Sequence, residues 1–310
     1  MNMRGENFIM KVGIDLGGSH IAIGVVDENG RIIEKQERRI LDKEKQEIKT
    51  FIEEYIIKNI KEMSKKYKIT NIGIAIPGTV NKTSVIKSVN LNLENYNIVE
   101  ALKKKINIPI KIKNDAKCAA LAENKYGSLK DYKRSIFIGL GTGIGGAVIV
   151  DNKLLDTGDL PGCEIGHMII QKDGLECKCG KKGCFEKYAS MKAFKTNLRK
   201  ELNLDETTRG EELLNILRNN NENNKNYKKI EKIVNDYIEY LSIGISNLIN
   251  IFEPEAIVIG GSFVYFEDVL LNRLYKKINE GNLLFNKRDS LIIKLAVLGN
   301  DAGIIGASLL

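Results

Sequence analysis

The sequence is most informative at first for what it lacks. No apolar run in its 310 residues approaches the roughly 20 needed to cross a bilayer. The opening MNMRGENFIMKVGIDLGG has no signal-peptide hydrophobic region before its first acidic residue. A cytoplasmic protein with no membrane partner is therefore expected. There is no G-x-x-x-x-G-K-[ST], which excludes the P-loop nucleoside triphosphatases. Histidines number two and cysteines five. In a reducing compartment, an odd cysteine count with three bunched together speaks against a disulfide framework and for metal ligation or a reactive thiol. A basic stripe is missing as well. The net charge is +8, but the lysines are scattered among acids in segments such as IKEMSKKYKIT and NYKKIEKIVNDYIEY, as on solvated helix faces. No nucleic-acid partner is expected.

What is present is an α/β pattern. The length and a hydrophobic content of 43% suit two domains. KVGIDLGG is an apolar run ending in a glycine pair, and IAIGVVDENGRIIEKQERR follows as two extended runs joined at Glu28-Asn29-Gly30, a hairpin turn signal. EIKTFIEEYIIKNIKEMSKKY has helical spacing, ITNIGIAIPG is a buried strand stopped by Pro77-Gly78, and IPIKIKNDAKCAALAENKYG reads as strand, Asn114-Asp115 and helix. The opening plan then returns in RSIFIGLGTGIGGAVIVDNKLL, with Asp151-Asn152 as its turn. Further on, NNNENNKN is a polar loop and YKKIEKIVNDYIEYLSIGISNLINIF the longest helical pattern. EAIVIGGSF is a strand running into another glycine pair, and the chain closes as strand, loop and small-residue helix. Two halves that each begin strand, glycine loop, strand predict a duplicated architecture with a ligand in a cleft between domains.

Gly141, Gly143 and Gly146 match the letters of the dinucleotide fingerprint, but AVIVDNKLL follows in place of a helix, so a nicotinamide enzyme is set aside. Glycine loops between strands can still hold phosphate, because backbone N–H groups without a neighbouring Cβ converge on an anion. Taken singly, each such loop is more often just a tight turn. Three of them, DLGGS, GLGTGIGG and VIGGSF, each follow a hydrophobic strand, which together points to a nucleotide held between two domains. The candidate phosphate-binding residues are Gly17, Gly18, Ser19, Gly141, Thr142, Gly143, Gly260 and Gly261.

Cys177, Cys179 and Cys184 lie in C-x-C-G-x-x-G-C, with His167 ten positions upstream of the first. Three thiolates and an imidazole suit tetrahedral zinc, and the glycines permit the turns that aim closely spaced sulfurs at one ion. Isolated buried cysteines are the plainer alternative, and a redox pair would prefer C-x-x-C. A zinc ribbon for nucleic acid would place two separated ligand pairs, which are missing here.

GIDLGGSHIAIGVVDENG, IGIAIPGTVN, NDAKCAALAE, GLGTGIGGAVIVDNKLL and the EIGH before the cysteines resemble the ROK family (repressors, open reading frames, kinases) of sugar kinases, within the actin-like ATPase superfamily. The resemblance runs from Lys11 to the C-terminus. It implies a two-domain actin-like (ribonuclease H-like) α/β fold with an interdomain cleft and a structural zinc loop, closed to water. It implies ATP with Mg²⁺, a hexose substrate and a homodimer.

By the same resemblance Asp115 is the catalytic base and Asn114 binds sugar hydroxyls; from position alone, either could be a helix N-cap. Asp15 is assigned near the metal-bound phosphates. Glu164, His167 and Glu186 are assigned to sugar hydroxyls, as carboxylates suit hydroxyl donors, although Glu186 also reads as a surface helix residue. Gly78 and Asn90 fall where the family approaches the sugar. The chain departs from the family's G-G-T-[KN] with Ser19-His20, where Ser19 keeps a hydroxyl and His20 receives no role. It departs again with Asn81 in PGTVN, where the family carries Asp.

The expected activity is that of a glucokinase acting on the 6-hydroxyl, with mannose, fructose, N-acetylglucosamine and N-acetylmannosamine as alternatives. A sugar-sensing ROK repressor is the second reading. It is disfavoured by the ten residues before Lys11, too few for a helix-turn-helix, and by Asp115. The expected domains are 1–114 with 298–310, and a larger one over 115–297 carrying the zinc loop. Substrate is expected to draw them together and exclude water.

Overall fold

Alternation of large and small residues decides how the first half of the chain folds. In KVGIDL, IAIGVV and IGIAI every second residue is Ile, Val or Leu, and the residues between are mostly Gly, Ala or Asp. Successive strand residues face opposite sides, so one face of the sheet is bulky and the other nearly flat. The structure, a computed structural model, describes residues 9–155, 162–280, 283–285 and 291–310.

The first unit opens with β1 (Ile9–Leu16), β2 (His20–Val26) and β3 (Ile32–Arg39). It then passes through the helix Ile48–Met63 into β4 (Lys68–Ile76), three short strands, β5 (Thr79–Val80), β6 (Val85–Ser88) and β7 (Leu93–Tyr96), and β8 (Ile110–Asn114). The main sheet has the order β3-β2-β1-β4-β8, with β1, β4 and β8 parallel. Its bulky face (Val12, Ile14, Leu16, Ile21, Ile23, Ile72 and Ile74) packs on Ile52, Ile56 and Ile60 of the helix. Each such burial contributes about 1.5–3 kcal/mol.

The flat face receives the C-terminal helix Ala302–Ser308 almost backbone to backbone. A methyl group at Gly13 would collide with the Ile304 carbonyl, and one at Gly73 with that of Ala307. On its other side the helix meets the helix Asp115–Tyr126, where Gly306 lies against the Cys118 carbonyl.

The second unit repeats the plan. β9 (Ser135–Leu140), β10 (Ile144–Val150), β11 (Lys153–Leu154), β12 (Ala256–Gly261) and β13 (Ile292–Leu295) form a sheet of order β11-β10-β9-β12-β13. The turn at Asp151 and Asn152 has both residues at positive φ, 51° and 61°, as a two-residue hairpin of type I′ requires. The helix Tyr227–Phe252 spans the whole predicted stretch and buries Ile230, Ile233, Val234, Tyr237, Leu241, Ile245 and Leu248 on one face. The duplication read from the sequence is therefore present strand for strand. The three-stranded sheet β5-β6-β7 was not anticipated.

The first unit comprises Met1–Asp131, Leu154–Cys163 and Val297–Leu310, and the second Tyr132–Lys153 and Glu164–Ala296. The helix Asp115–Tyr126, expected in the larger domain, thus falls in the first unit. The reason is its packing on the C-terminal helix, reinforced by Glu123. That carboxylate is fully buried and accepts the backbone N–H groups of Val297 and Leu298, each at 2.9 Å, and of Ser128 at 2.8 Å. Among the described residues no helix is long and apolar enough to cross a membrane.

Candidate active site and metal centre

In the first unit the parallel strands β1, β4 and β8 end along one edge, the edge where open α/β sheets bind ligands. Asp15 of β1 pairs with Ala75 of β4, and Ala75 with Lys113 of β8. Asp115 follows directly, two strand spacings from Asp15, about 10 Å by strand geometry.

The capping ambiguity at this edge is resolved. Asn114 is the N-cap, its Oδ1 accepting from Ala116 N at 3.0 Å and Lys117 N at 3.3 Å. Its Nδ2 donates to the Gly78 carbonyl at 3.1 Å, and an amide nitrogen has a second hydrogen to give. Asp115 stands in the first helical turn, with Oδ1 accepting from Ala116 N at 2.8 Å. Gly78 is held at φ +101°, where a side chain would also strike the Lys87 carbonyl.

Burial raises the Asp115 carboxyl above its ordinary range, and the Ala116 amide acts against the rise. Asp15 is pushed up to about 7, first by burial and then by the charge of Asp115, with Lys35 pulling the other way. Two buried carboxyls, one of which raises the other, suit a nearby cation, so a Mg²⁺ carried by ATP fits this edge by charge. Asp15 has little room to move, because a methyl group at Gly303 would collide with its carboxylate.

The glycine loop after β1 is closed by Gly17 N donating to His20 O at 2.8 Å. Gly18 lies against Asn90, whose Cβ a methyl group at Gly18 would approach to 2.9 Å. One predicted phosphate residue and one predicted sugar residue are thus neighbours. The exposed Ser19 hydroxyl lies 2.8 Å from His20 Nδ1. Asn81 points its Oδ1 into its own turn, accepting from Thr83 N at 3.0 Å and Ser84 N at 2.7 Å, a task a carboxylate oxygen would share.

In the second unit, Glu164 precedes and His167 ends a single 3₁₀ turn, Ile165–His167, which sits against β10 because Gly166 has no side chain to meet the Ile144 carbonyl. Glu164 is exposed, and its carbonyl accepts from His167 N at 3.0 Å. The chain then doubles back, with bridges Ile169–Cys184 and Glu176–Lys182.

One ligand atom from each of His167, Cys177, Cys179 and Cys184 lies within 4.8 Å of all the others. Cys177 Sγ is 3.7 Å from His167 Nδ1, and Cys179 Sγ is 3.6 Å from Cys184 Sγ. Zinc–sulfur bonds of about 2.3 Å in a tetrahedron set sulfurs about 3.8 Å apart, whereas a disulfide needs about 2.05 Å. Burial and the two neighbouring thiols push Cys184 up to about 12, so the fully ionised trio needs a cation. The donors fit a closed zinc site. With Nδ1 turned to the sulfurs, Nε2 of His167 faces away from them.

Glu186 does something the sequence did not suggest. Its Oε2 accepts from Ile144 N at 2.9 Å, and Gly143 leaves the space its carboxylate fills. Beside it, Phe185 is fully buried and packs on Gly244 of the helix Tyr227–Phe252. Glu186 therefore ties the metal loop to the Gly141–Thr142–Gly143 loop. Within that loop Gly141 N donates to Gly143 O at 3.0 Å. Gly260 and Gly261 lie beside Gly139 and Leu140 in the sheet, so the two glycine loops of this unit are adjacent.

Comparison with known proteins finds relatives over nearly the whole chain. The model of the ROK family matches residues 11–310. A glucokinase of Streptomyces coelicolor is 30% identical over 311 residues, covering 96% of each chain. A xylose repressor of Bacillus subtilis is 28% identical over 300 residues, covering 96% of this chain and 75% of its own. Among solved structures, a ROK family glucokinase from Streptomyces griseus in complex with glucose and AMPPNP superposes with a TM-score of 0.78 at 25% identity, covering 96% of this chain and 98% of that one.

Proposed function

The chain belongs to the ROK family, and on that premise we propose that it is an ATP-dependent hexose kinase whose substrate is glucose and whose product is glucose 6-phosphate. Similarity to glucokinases over nearly the full length supports the kinase reading. The observation that carries it is Asp115, whose carboxylate stands at the ligand-binding edge while Asn114 takes over the cap.

The sugar 6-hydroxyl attacks the γ-phosphorus of ATP, its proton passes to Asp115, the bond to the β,γ-bridging oxygen breaks and ADP departs. Burial raises the basicity of Asp115, which favours proton acceptance. Mg²⁺, bound with ATP beside Asp15, would supply charge neutralisation. The second amide hydrogen of Asn114 is available to a sugar oxygen, and the family resemblance assigns hydroxyls also to Gly78, Asn90, Glu164, His167 and Glu186. Zinc would supply no chemistry: its four ligands fill the tetrahedron and fix the His167 ring by Nδ1, leaving Nε2 for a hydroxyl. The resemblance likewise supports a homodimer.

The test is ADP release over a panel of glucose, mannose, fructose, N-acetylglucosamine and N-acetylmannosamine. Turnover with glucose at the highest kcat/KM is expected. Dominance of another sugar would reassign the substrate. Sugar binding without turnover of any would favour a sugar-sensing regulator, the class to which the xylose repressor belongs.

A further inference from the structure

The second unit holds a half-buried cation to which nothing above gives a task. Lys195 lies on the helix Met191–Glu201, which Ser190 caps through Ala193 N at 3.1 Å. The same helix is fastened to the first glycine loop of this unit, Lys192 N donating to Gly141 O at 3.1 Å. One turn further on, Lys195 Nζ comes to 3.5 Å from Ser262 Oγ, the residue that follows Gly261. Its ammonium stands 5.8 Å from the centroid of the Phe266 ring. Lys195 thus stands beside the Gly260–Gly261 loop, on the helix whose first turn is bonded to the Gly141 loop.

Among the described residues no carboxylate is among the groups that act on it. The charge acting on it is that of Arg199, of the same sign, and the Arg199 guanidinium is itself engaged by the Thr208 carbonyl at 2.7 and 3.0 Å. Burial, and Arg199 after it, lower the Lys195 pKa. A lysine held half out of water, without an acid and beside a glycine loop, is stabilised by the arrival of an anion.

We propose that Lys195 is a nucleotide-binding residue whose ammonium, beside the Ser262 hydroxyl, donates to the phosphate chain of ATP received by the loops Gly141–Gly143 and Gly260–Gly261. The proposal rests on the kinase reading and adds to it the cation of the second unit.

Titration calorimetry on the whole protein with ADP, tripolyphosphate and adenosine as separate probes tests it, with steady-state kinetics alongside. Lys195→Met should weaken ADP and tripolyphosphate about 10- to 100-fold, the worth of a charge-assisted hydrogen bond. It should raise the KM for ATP to match and leave adenosine binding and the KM for the sugar unchanged. Lys195→Arg should recover most of the loss, and Ser262→Ala should show a smaller loss of the same pattern, which carries the test if Lys195→Met does not fold. Wild-type binding of ADP by Lys195→Met would overturn the proposal and leave the kinase reading standing. So would a loss confined to adenosine, which would move the contact to the ribose or base. Failure of the unaltered protein to bind ADP would overturn both.

Discussion

Asn114 and Gly78 are joined by a hydrogen bond of 3.1 Å from the Asn114 amide to the Gly78 carbonyl, and this bond fixes where Asp115 stands. The residue that caps the helix is thereby the residue that grips the turn after β4. Asp115 is left in the first helical turn at the end of the parallel strands. Replacing Asn114 by Ala should cost about 1 kcal/mol through the lost cap. It should also raise the sugar KM, because the Gly78 turn loses its tether. Thermal melts and steady-state kinetics measure the two effects separately. Loss of stability with an unchanged KM would reduce Asn114 to a cap.

The donor group of His167, Cys177, Cys179 and Cys184 makes a compositional prediction. Elemental analysis of purified protein should give one zinc per chain, and Cys184→Ser should bind well under half of that and melt at a lower temperature. The loss spreads because Phe185, next in sequence, is buried against Gly244. Full stability in a metal-free preparation would contradict the assignment.

Glu123 offers a test that leaves the chemistry aside. Its carboxylate receives three backbone N–H groups in full burial. Glu123→Ala should cost at least about 3 kcal/mol, because three buried N–H groups lose their acceptor at about 1–3 kcal/mol each, and Glu123→Gln about 1–3 kcal/mol, since one acceptor oxygen becomes a donor facing a donor. Denaturant unfolding measures both. A change under 1 kcal/mol for Ala would show that the carboxylate is not what fastens the helix Asp115–Tyr126 to the C-terminal turn.

The raised carboxyl of Asp15 predicts a pH dependence with a definite sign. Its folded value of about 7 lies above the ordinary value of 3.8, so its contribution to stability is fully present below about pH 4 and lost as pH rises through 7. In nucleotide- and Mg²⁺-free protein, Asp15→Asn should therefore melt above the parent at pH 8. That advantage should disappear by pH 4. Equal melting at pH 8 would mean that the Asp15 carboxylate is better solvated than its setting indicates.

Much of this fold could be read from the sequence, and the physical reasons are specific. The strands, the long helix and the repeated strand, glycine loop, strand plan showed because period-2 and period-3.6 patterns with turn residues are local signals. The clustering of His167, Cys177, Cys179 and Cys184 showed because a metal-binding pattern fixes residue type and spacing together. The short strands Thr79–Val80, Val85–Ser88 and Leu93–Tyr96 did not, being only two to four residues long and carrying too little pattern. The attachment of Asp115–Tyr126 to the first unit was also hidden, since it depends on a contact with the last helix. A signal for it was nonetheless present: Gly13, Gly73 and Ala75 alternate with large residues, as a sheet face requires when a helix backbone must approach closely. The bond of Glu186 to Ile144 and the place of Lys195 beside Ser262 were beyond reach because the partners lie 42 and 67 residues apart.

The measurement that bears most directly on the account is ATP-dependent phosphorylation of glucose by the intact protein and by Asp115→Asn, with glucose binding and thermal melts recorded on both. The account predicts turnover by the parent. In the variant it predicts a fall in kcat of about 10²- to 10⁴-fold, the worth of a general base, with glucose affinity and melting temperature nearly unchanged. A variant that phosphorylates glucose at the parent's rate would contradict the assignment of Asp115 as the base, and a folded parent that phosphorylates no sugar would contradict the kinase itself.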